Sequence, residues 1–363
     1  MVSTSIFLDS YAMRTAYFLA LLMVFSLGLT VTSIAQAAPQ PVQVYIFAGQ
    51  SNMVGFGKTE MGRDPAHPYV PGESAVEIVG GLGSLRYMVD NNPATFGHGG
   101  TNPLVDANGD WLVRSDVNIY AKNDDLVEKG GHTTGFGKGA WNGPEYGFGQ
   151  VIGNTTDRDV LIIKIATGGT SLAVNWRSPT AVSNRGGSVG DMWTQLVSDV
   201  DSVLTNLATE FPAYAGRDYE IAGFGWHQGW NDGGDQAMVD EYEANMTDFI
   251  ADVRGEYGVD LRFVIANTGI GGEDLTNARR LGIIAAQNAM DVLDNVAVVE
   301  TRPMWQGPET SPSDFGFHWN HNGITQYQIG AGMGEAMNAL SVPEPSCGLM
   351  LGLGVFLVAG RRA

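Results

Sequence analysis

Ser51 stands in the run Gly49-Gln50-Ser51-Asn52-Met53, directly behind the apolar segment from Val42 to Ala48. A serine hydroxyl does covalent chemistry only when a base can take its proton and donors can hold the developing oxyanion. At the carboxyl end of a strand, a serine that opens the next helix meets free backbone amides and the positive end of the helix dipole. The same place also suits a plain helix cap. The base has to come from one of six histidines. His318 lies in Phe317-His318-Trp319-Asn320-His321-Asn322-Gly323, after the last strand-like run and before the final helical pattern, with His321 as its rival. His227 ends a strand beside Trp226 and reads as packed in a turn; His67, His98 and His132 are expected at the surface or rim. Two segments could supply oxyanion donors. Ala166-Thr167-Gly168-Gly169-Thr170-Ser171 brings glycine amides, and Trp226-His227-Gln228-Gly229-Trp230-Asn231-Asp232 brings a side-chain amide from Gln228 or Asn231.

These segments need a scaffold that presents strand ends side by side. Apolar runs of strand length occur at Val42–Ala48, Val160–Ala166, Tyr219–Trp226, Arg262–Asn267 and Val296–Thr301, without clean alternation, as strands buried on both faces require. Between and after them lie helical patterns at Met192–Leu207, Ala237–Tyr257, Leu275–Leu293 and Gly323–Ala339. In the first, Leu196, Val200, Val203 and Leu207 keep one apolar stripe. Strands alternating with helices predict a three-layer α/β/α sandwich around a flavodoxin-like five-stranded parallel sheet. Residues 57–142 break the rhythm and read as a long irregular insertion after the first strand, partly β-hairpin, of the kind that shapes active sites. Within it, Asp106-Ala107-Asn108-Gly109-Asp110 has the look of a calcium loop. The pattern needs glycine where Trp111 stands, so a tight Asn-Gly turn is the better reading.

The chain has 363 residues and a formal net charge of -19. Residues 1–37 read as a secretory signal, with an apolar core after Arg14, an Ala35-Gln36-Ala37 cleavage site and Met13 as an alternative start. Residues 38–341 make one domain, and 342–363 form a tail of Pro-Glu-Pro, an apolar run and terminal arginines. The only cysteine, Cys347, is in that tail, so neither disulfides nor a cysteine metal site is expected in the domain. The acidic balance argues against nucleic acid as a partner. No metal or organic cofactor is called for by the serine chemistry.

Taken in order, the blocks resemble the sialate O-acetylesterase-like group of SGNH hydrolases, which includes carbohydrate esterase family 6. The resemblance rests on Gly49–Met53, Gly143-Pro144-Glu145, Gly168–Ser171 followed by Trp176, Trp226–Asp232, and His318 five residues before Gly323. It implies Ser51 as nucleophile and His318 as base. The oxyanion donors would be the Ser51 amide, a Gly168 or Gly169 amide, and Gln228. Glu145 is expected to organise the site, to line it beside Gln50 and Asn52, or to be purely structural. Two departures stand out. Trp230 replaces the family's glutamate, which leaves Asn231 as a rival donor to Gln228. Phe315 occupies the usual position of the acid, so Asp314 either orients the imidazole from a shifted loop or a Ser-His dyad operates. Trp176, Trp230 and Trp319 are candidates for stacking on a sugar ring. The tail resembles the PEP C-terminal sorting signal, which implies export to the extracellular or envelope surface, transient membrane anchoring and a membrane sorting protease as partner. The implied activity is removal of O-acetyl groups from carbohydrate or polysaccharide. An inactive carbohydrate-binding protein, or a lipase or thioesterase on the same scaffold, are the alternatives.

Overall fold

In the computed structural model, residues 40–340 are described; the expected leader and sorting tail lie outside them. The chain enters as β1 (Val42–Gly49) and turns into a single helical turn, α1 (Ser51–Val54). The insertion then makes a two-stranded ribbon, β2 (Met61–Arg63) with β3 (Glu77–Val79), a short helix α2 (Leu85–Asn91), and a hairpin of β4 (Val117–Asn123) and β5 (Leu126–Gly131). The remainder alternates: α3 (Pro144–Thr155), β6 (Val160–Ala166), α4 (Asp191–Thr205), β7 (Tyr219–His227), α5 (Gln236–Tyr257), β8 (Phe263–Ala266), α6 (Ala278–Asn288), β9 (Val296–Val299) and α7 (Gly323–Ala339).

The main sheet runs β5-β4-β6-β1-β7-β8-β9. The five strands expected from the sequence form its β6-β1-β7-β8-β9 portion, all parallel, in the strand order of a flavodoxin-like sheet. The insertion extends it to seven strands. β4 joins β6 in parallel, and β5 closes the edge antiparallel to β4. β4 alternates buried and partly buried residues, as a strand near a sheet edge should.

Each central strand feeds two cores. Val44, Ile46, Ile163 and Ile165 face the layer containing α4, α5 and α6, whereas Tyr45, Phe47 and Ile162 face the layer of α3 and α7. α3 was not legible as a helix because Gly147, Gly149 and Gly153 interrupt its pattern. Those glycines serve close packing: a Cβ at Gly147 would run into the Tyr327 carbonyl of α7, and one at Gly330 into the Pro144 carbonyl of α3. The Asp106–Asp110 segment is a tight turn. Asp106 Oδ1 accepts the Asn108 and Asp110 amides at 2.8 and 3.0 Å, and Gly109 takes a φ of +85°.

Candidate active site

Register decides where the site can be. Gly49 pairs across with Ala166 on one side and His227 on the other, and Ala166 pairs with Asn123. Four strand ends therefore finish level, and the sheet order reverses direction between β1 and β7. Ligands of open α/β sheets bind at such a reversal, beyond the carboxyl ends of the strands. The backbone at Gly49 passes so close to β7 that a Cβ would meet the His227 carbonyl.

Ser51 opens α1 and is buried to 7% exposure. As the first residue of its turn, its N–H has no acceptor within the helix, and Gln50 caps nothing with its side chain. With only four residues, α1 has little macrodipole, so any anion stabilisation here comes from individual amides. Gln50 turns away from the opening. Its Oε1 accepts the Gly229 and Asn231 amides at 3.2 and 3.1 Å and pins the loop after β7 to the Ser51 turn. Asn52 donates to the Phe317 carbonyl at 3.2 Å and ties the same turn to the loop carrying His318. Both side chains are buried and position the loops; neither is placed to touch a substrate, which corrects the sequence expectation for Gln50 and Asn52.

The loop after β6 reaches Ser51 directly. A Cβ at Gly168 would lie 3.8 Å from Ser51 Cβ and equally 3.8 Å from Asp124 Oδ1. Asp124, at the tip of the β4–β5 hairpin, accepts the Gly168 N–H at 3.0 Å and pairs with Lys138 at 3.4 Å. The Gly168 amide is thereby occupied, while Gly169 is exposed with a φ of +72°. Sequence reading missed Asp124; nothing marks a hairpin-tip aspartate beyond its place in the insertion. Trp176 is fully buried and donates to Thr170 Oγ1 at 2.9 Å, bracing this loop from beneath.

The two side-chain amides after β7 have opposite fates. Gln228 is buried, with Nε2 donating to the Thr170 carbonyl at 3.0 Å and to Asp232 Oδ2 at 2.6 Å, while its Oε1 accepts from Tyr242 at 3.1 Å. Asp232 also accepts the Leu172 and Ala173 amides, both at 3.0 Å, so Gln228 and Asp232 together lock the β6 and β7 loops. Burial pushes the Asp232 carboxyl up, against these donors. Asn231, by contrast, is exposed, and its side chain makes no hydrogen bond within the described residues. Trp230 is half-buried beneath the Arg280 guanidinium, 3.6 Å above its ring.

His318 stacks on Phe56, with ring centroids 3.8 Å apart and 17° between planes. The three residues that follow, Trp319, Asn320 and His321, all adopt left-handed backbone, with φ of 55°, 53° and 56°. Non-glycine residues hold that conformation only when their surroundings dictate it. Here Asn320 donates to the Gln306 carbonyl at 2.8 Å, and Lys58 N–H donates to the His321 carbonyl at 3.0 Å. Burial, and the neighbouring His321, bring the His318 pKa down to about 4; burial and Lys58 do the same for His321. Among the described residues no carboxylate hydrogen-bonds either imidazole. Asp314 is exposed and lines a cavity with Phe315 and His321, and among the described residues it makes no hydrogen bond to His318.

Glu145 is not a pocket residue. It is buried at 1% exposure, accepts the Gly143 amide at 2.9 Å and pairs with Lys164 at 2.9 Å. Lys164 Nζ also donates to the Val54 carbonyl at 3.0 Å and the Phe136 carbonyl at 2.7 Å, clamping the end of α1 to the insertion. Desolvation pushes the Lys164 pKa down, opposed by Glu145. Trp319, like Trp176, is fully buried and unavailable for stacking on sugar. His227 is packed, as expected, with Nδ1 2.9 Å from the Ala266 carbonyl. His132 is not at the rim: it is fully buried and stacked on Tyr146, its Nε2 lying 3.0 Å from the Glu145 carbonyl of α3. His67 and His98 are exposed.

The family model described as carbohydrate esterase, sialic acid-specific acetylesterase, matches residues 113–339. The chain belongs to that family. The matched span holds the β6 and β7 loops and His318; Ser51 lies upstream of it. Among solved structures, a protein from Arabidopsis thaliana is similar at 18% identity and a TM-score of 0.51, over 82% of this chain and 98% of that one. A carbohydrate acetylesterase from Xanthomonas citri is similar at 12% identity and a TM-score of 0.48, over 82% of this chain and 56% of that one. No curated protein matches the sequence. The α/β sandwich is thus shared with the Arabidopsis thaliana structure, and membership of the carbohydrate esterase family makes the chain an esterase that acts on carbohydrate.

Proposed function

We propose that this carbohydrate esterase is a serine enzyme that removes O-acetyl groups through an acyl-enzyme intermediate, with Ser51 as nucleophile and His318 as base. The observation that carries the reading is convergence at the sheet reversal. Ser51, with an N–H free of helical acceptors, sits against the Gly168 loop, while Asn52 fastens its turn to the His318 loop. In the first step His318 takes the Ser51 proton as Oγ bonds to the ester carbonyl carbon. The carbonyl oxygen becomes an oxyanion held by the Ser51 and Gly169 amides and by Asn231 Nδ2. His318 then gives its proton to the departing sugar oxygen as that C–O bond breaks. Water then attacks the acetyl carbon as His318 takes its proton; the Ser51 Oγ–C bond breaks, Oγ takes the proton back from His318, and acetate leaves. Gln228 holds the loops that present the donors and is not itself one of them.

The leader and the Pro-Glu-Pro tail support export and surface sorting by a membrane protease, and an exported enzyme of this kind meets acetylated polysaccharide. The test is p-nitrophenyl acetate hydrolysis by wild type and Ser51→Ala, with acetate release from acetylated xylan and an acyl-chain-length series alongside. Serine catalysis predicts loss of turnover in Ser51→Ala and a preference for acetyl over longer chains. A preference for long chains would make it a lipase or thioesterase. A wild type no faster than Ser51→Ala would leave a sugar-binding protein, a reading favoured by the absence, among the described residues, of a carboxylate hydrogen-bonded to His318.

A further inference from the structure

We infer that the cavity lined by Trp141, Phe315 and His321 is a subsite for a neutral sugar residue next to the acetylated one, and that its carboxylates turn acidic sugars away. The inference deepens the esterase reading above and rests on it. The cavity has a volume of about 440 Å³, within the range of small-ligand sites. Trp141, Phe315 and His321 give it aromatic walls, and Lys58, Glu73, Glu77 and Asp314 its charges. It is continuous with the proposed catalytic loop. The His321 ring lies 5.1 Å from Trp141 and 5.9 Å from His318, centroid to centroid.

The chemistry fits a pyranose. The Trp141 indole is half-buried and its N–H has no acceptor among the described residues, so it offers a free donor, while the exposed Phe315 ring offers an apolar face. Lys58 Nζ sits 4.5 Å above that ring and pairs with Glu77 at 3.0 Å. Glu73 and Asp314 are exposed and, among the described residues, pair with no cation, which leaves two carboxylates to accept from sugar hydroxyls. One lysine faces three carboxylates, so with His321 neutral the cavity carries a net charge of -2 (1 minus 3). A uronate or sialate carboxylate entering it meets unpaired like charge. That would set this chain apart from the sialic acid named in its family's description. It also gives Asp314 a place in substrate selection in contrast to the triad role read from its position in the sequence.

The experiment measures kcat/KM of the full chain on p-nitrophenyl acetate, an acetylated xylo-oligosaccharide and an acetylated oligogalacturonide. Wild type should prefer the neutral oligosaccharide to the acidic one by about tenfold or more. The double variant Glu73→Gln with Asp314→Asn should shrink that preference about tenfold. Trp141→Ala should lower the ratio of neutral-oligosaccharide to p-nitrophenyl acetate activity about tenfold, and Trp141→Phe, which also lacks the N–H donor, should lower it too. Equal losses on both substrates in Trp141→Ala, or an unchanged charge preference in the double variant, overturn the subsite. A wild type that hydrolyses no ester overturns the esterase reading instead. Calorimetric titration with the deacetylated oligosaccharides then decides the subsite alone: Trp141-dependent binding of the neutral chain supports it, and its absence removes it.

Discussion

Gln228 and Asn231 are three residues apart, and the structure assigns them different work that a pair of variants will separate. Gln228→Ala removes hydrogen bonds to the Thr170 carbonyl, the Asp232 carboxylate and the Tyr242 hydroxyl, all in a buried setting. A neutral buried hydrogen bond contributes about 1 kcal/mol and one to a charged group about 1.5–3 kcal/mol, so the loss of stability should be about 4 kcal/mol. Asn231→Ala removes a side chain that is exposed and makes no hydrogen bond, so the unfolding midpoint should not move. If Asn231 Nδ2 holds the oxyanion, its loss costs a factor of about 10²–10³ in kcat. Urea denaturation and p-nitrophenyl acetate kinetics on both variants give the four numbers needed. A Gln228→Ala protein with wild-type stability and a collapsed kcat, beside an Asn231→Ala protein within threefold of wild type, refutes the assignment.

Breaking the buried pair by Glu145→Ala strands Lys164 and should destabilise the fold by about 3–5 kcal/mol, whereas Glu145→Leu combined with Lys164→Met should recover most of it; a single-variant loss below about 1 kcal/mol in urea unfolding counts against the clamp. His132 and His227 are fully buried with pKa values near 4 against an ordinary 6.5, so the unfolded chain binds more protons than the folded one between those values. Stability from this source is complete above pH 6.5, falls as pH drops below it and is gone near pH 4, by an order of 3 kcal/mol per histidine; a urea midpoint constant from pH 7 to 4.5 would contradict it. The Asp124 carboxylate fixes the Gly168 loop, so Asp124→Ala should lower kcat about tenfold; a rise would instead mean that Gly168 N–H is the oxyanion donor and Asp124 its competitor.

The five central strands could be read from the sequence because runs such as Val42–Ala48 and Val160–Ala166 are buried on both faces and show almost unbroken apolar character. The last helix, Gly323–Ala339, was legible to the residue, its start set by Asn322, which caps the Thr325 amide. α3 was not, since the glycines that weaken helical propensity are there for close contacts: Gly147 with α7, Gly149 with His132 and Gly153 with Arg114. Lys164 was visible as the one charge inside an apolar strand, but its partner sits in a segment with no helical signature, so the pair had no sequence signal. The motif tryptophans carried a different ambiguity: an aromatic beside a site can face the ligand or brace the loop. Trp176 and Trp319 brace, while Trp141, outside every motif, lines a cavity.

The unusual corner of the site is the one behind His318. A triad carboxylate does two things: it orients the imidazole and it stabilises the imidazolium that forms as the proton arrives. In this chain the first task has other means. Phe56 stacks on the ring, Asn52 holds the preceding carbonyl, and the left-handed run from Trp319 to His321 is pinned by Asn320 and Lys58. The second task has none, and burial next to His321 works against the charged form. On the proposed mechanism His318 is therefore neutral and ready as a base well into the acid range, but it is a weak one. The acid limb of kcat/KM should fall near pH 4 rather than 6.5, and kcat should be modest on the plateau. Phe56→Ala frees the ring and should lower kcat while moving that limb up toward the ordinary histidine value. A limb that stays near 4 in Phe56→Ala would show that its position is set by a group other than His318.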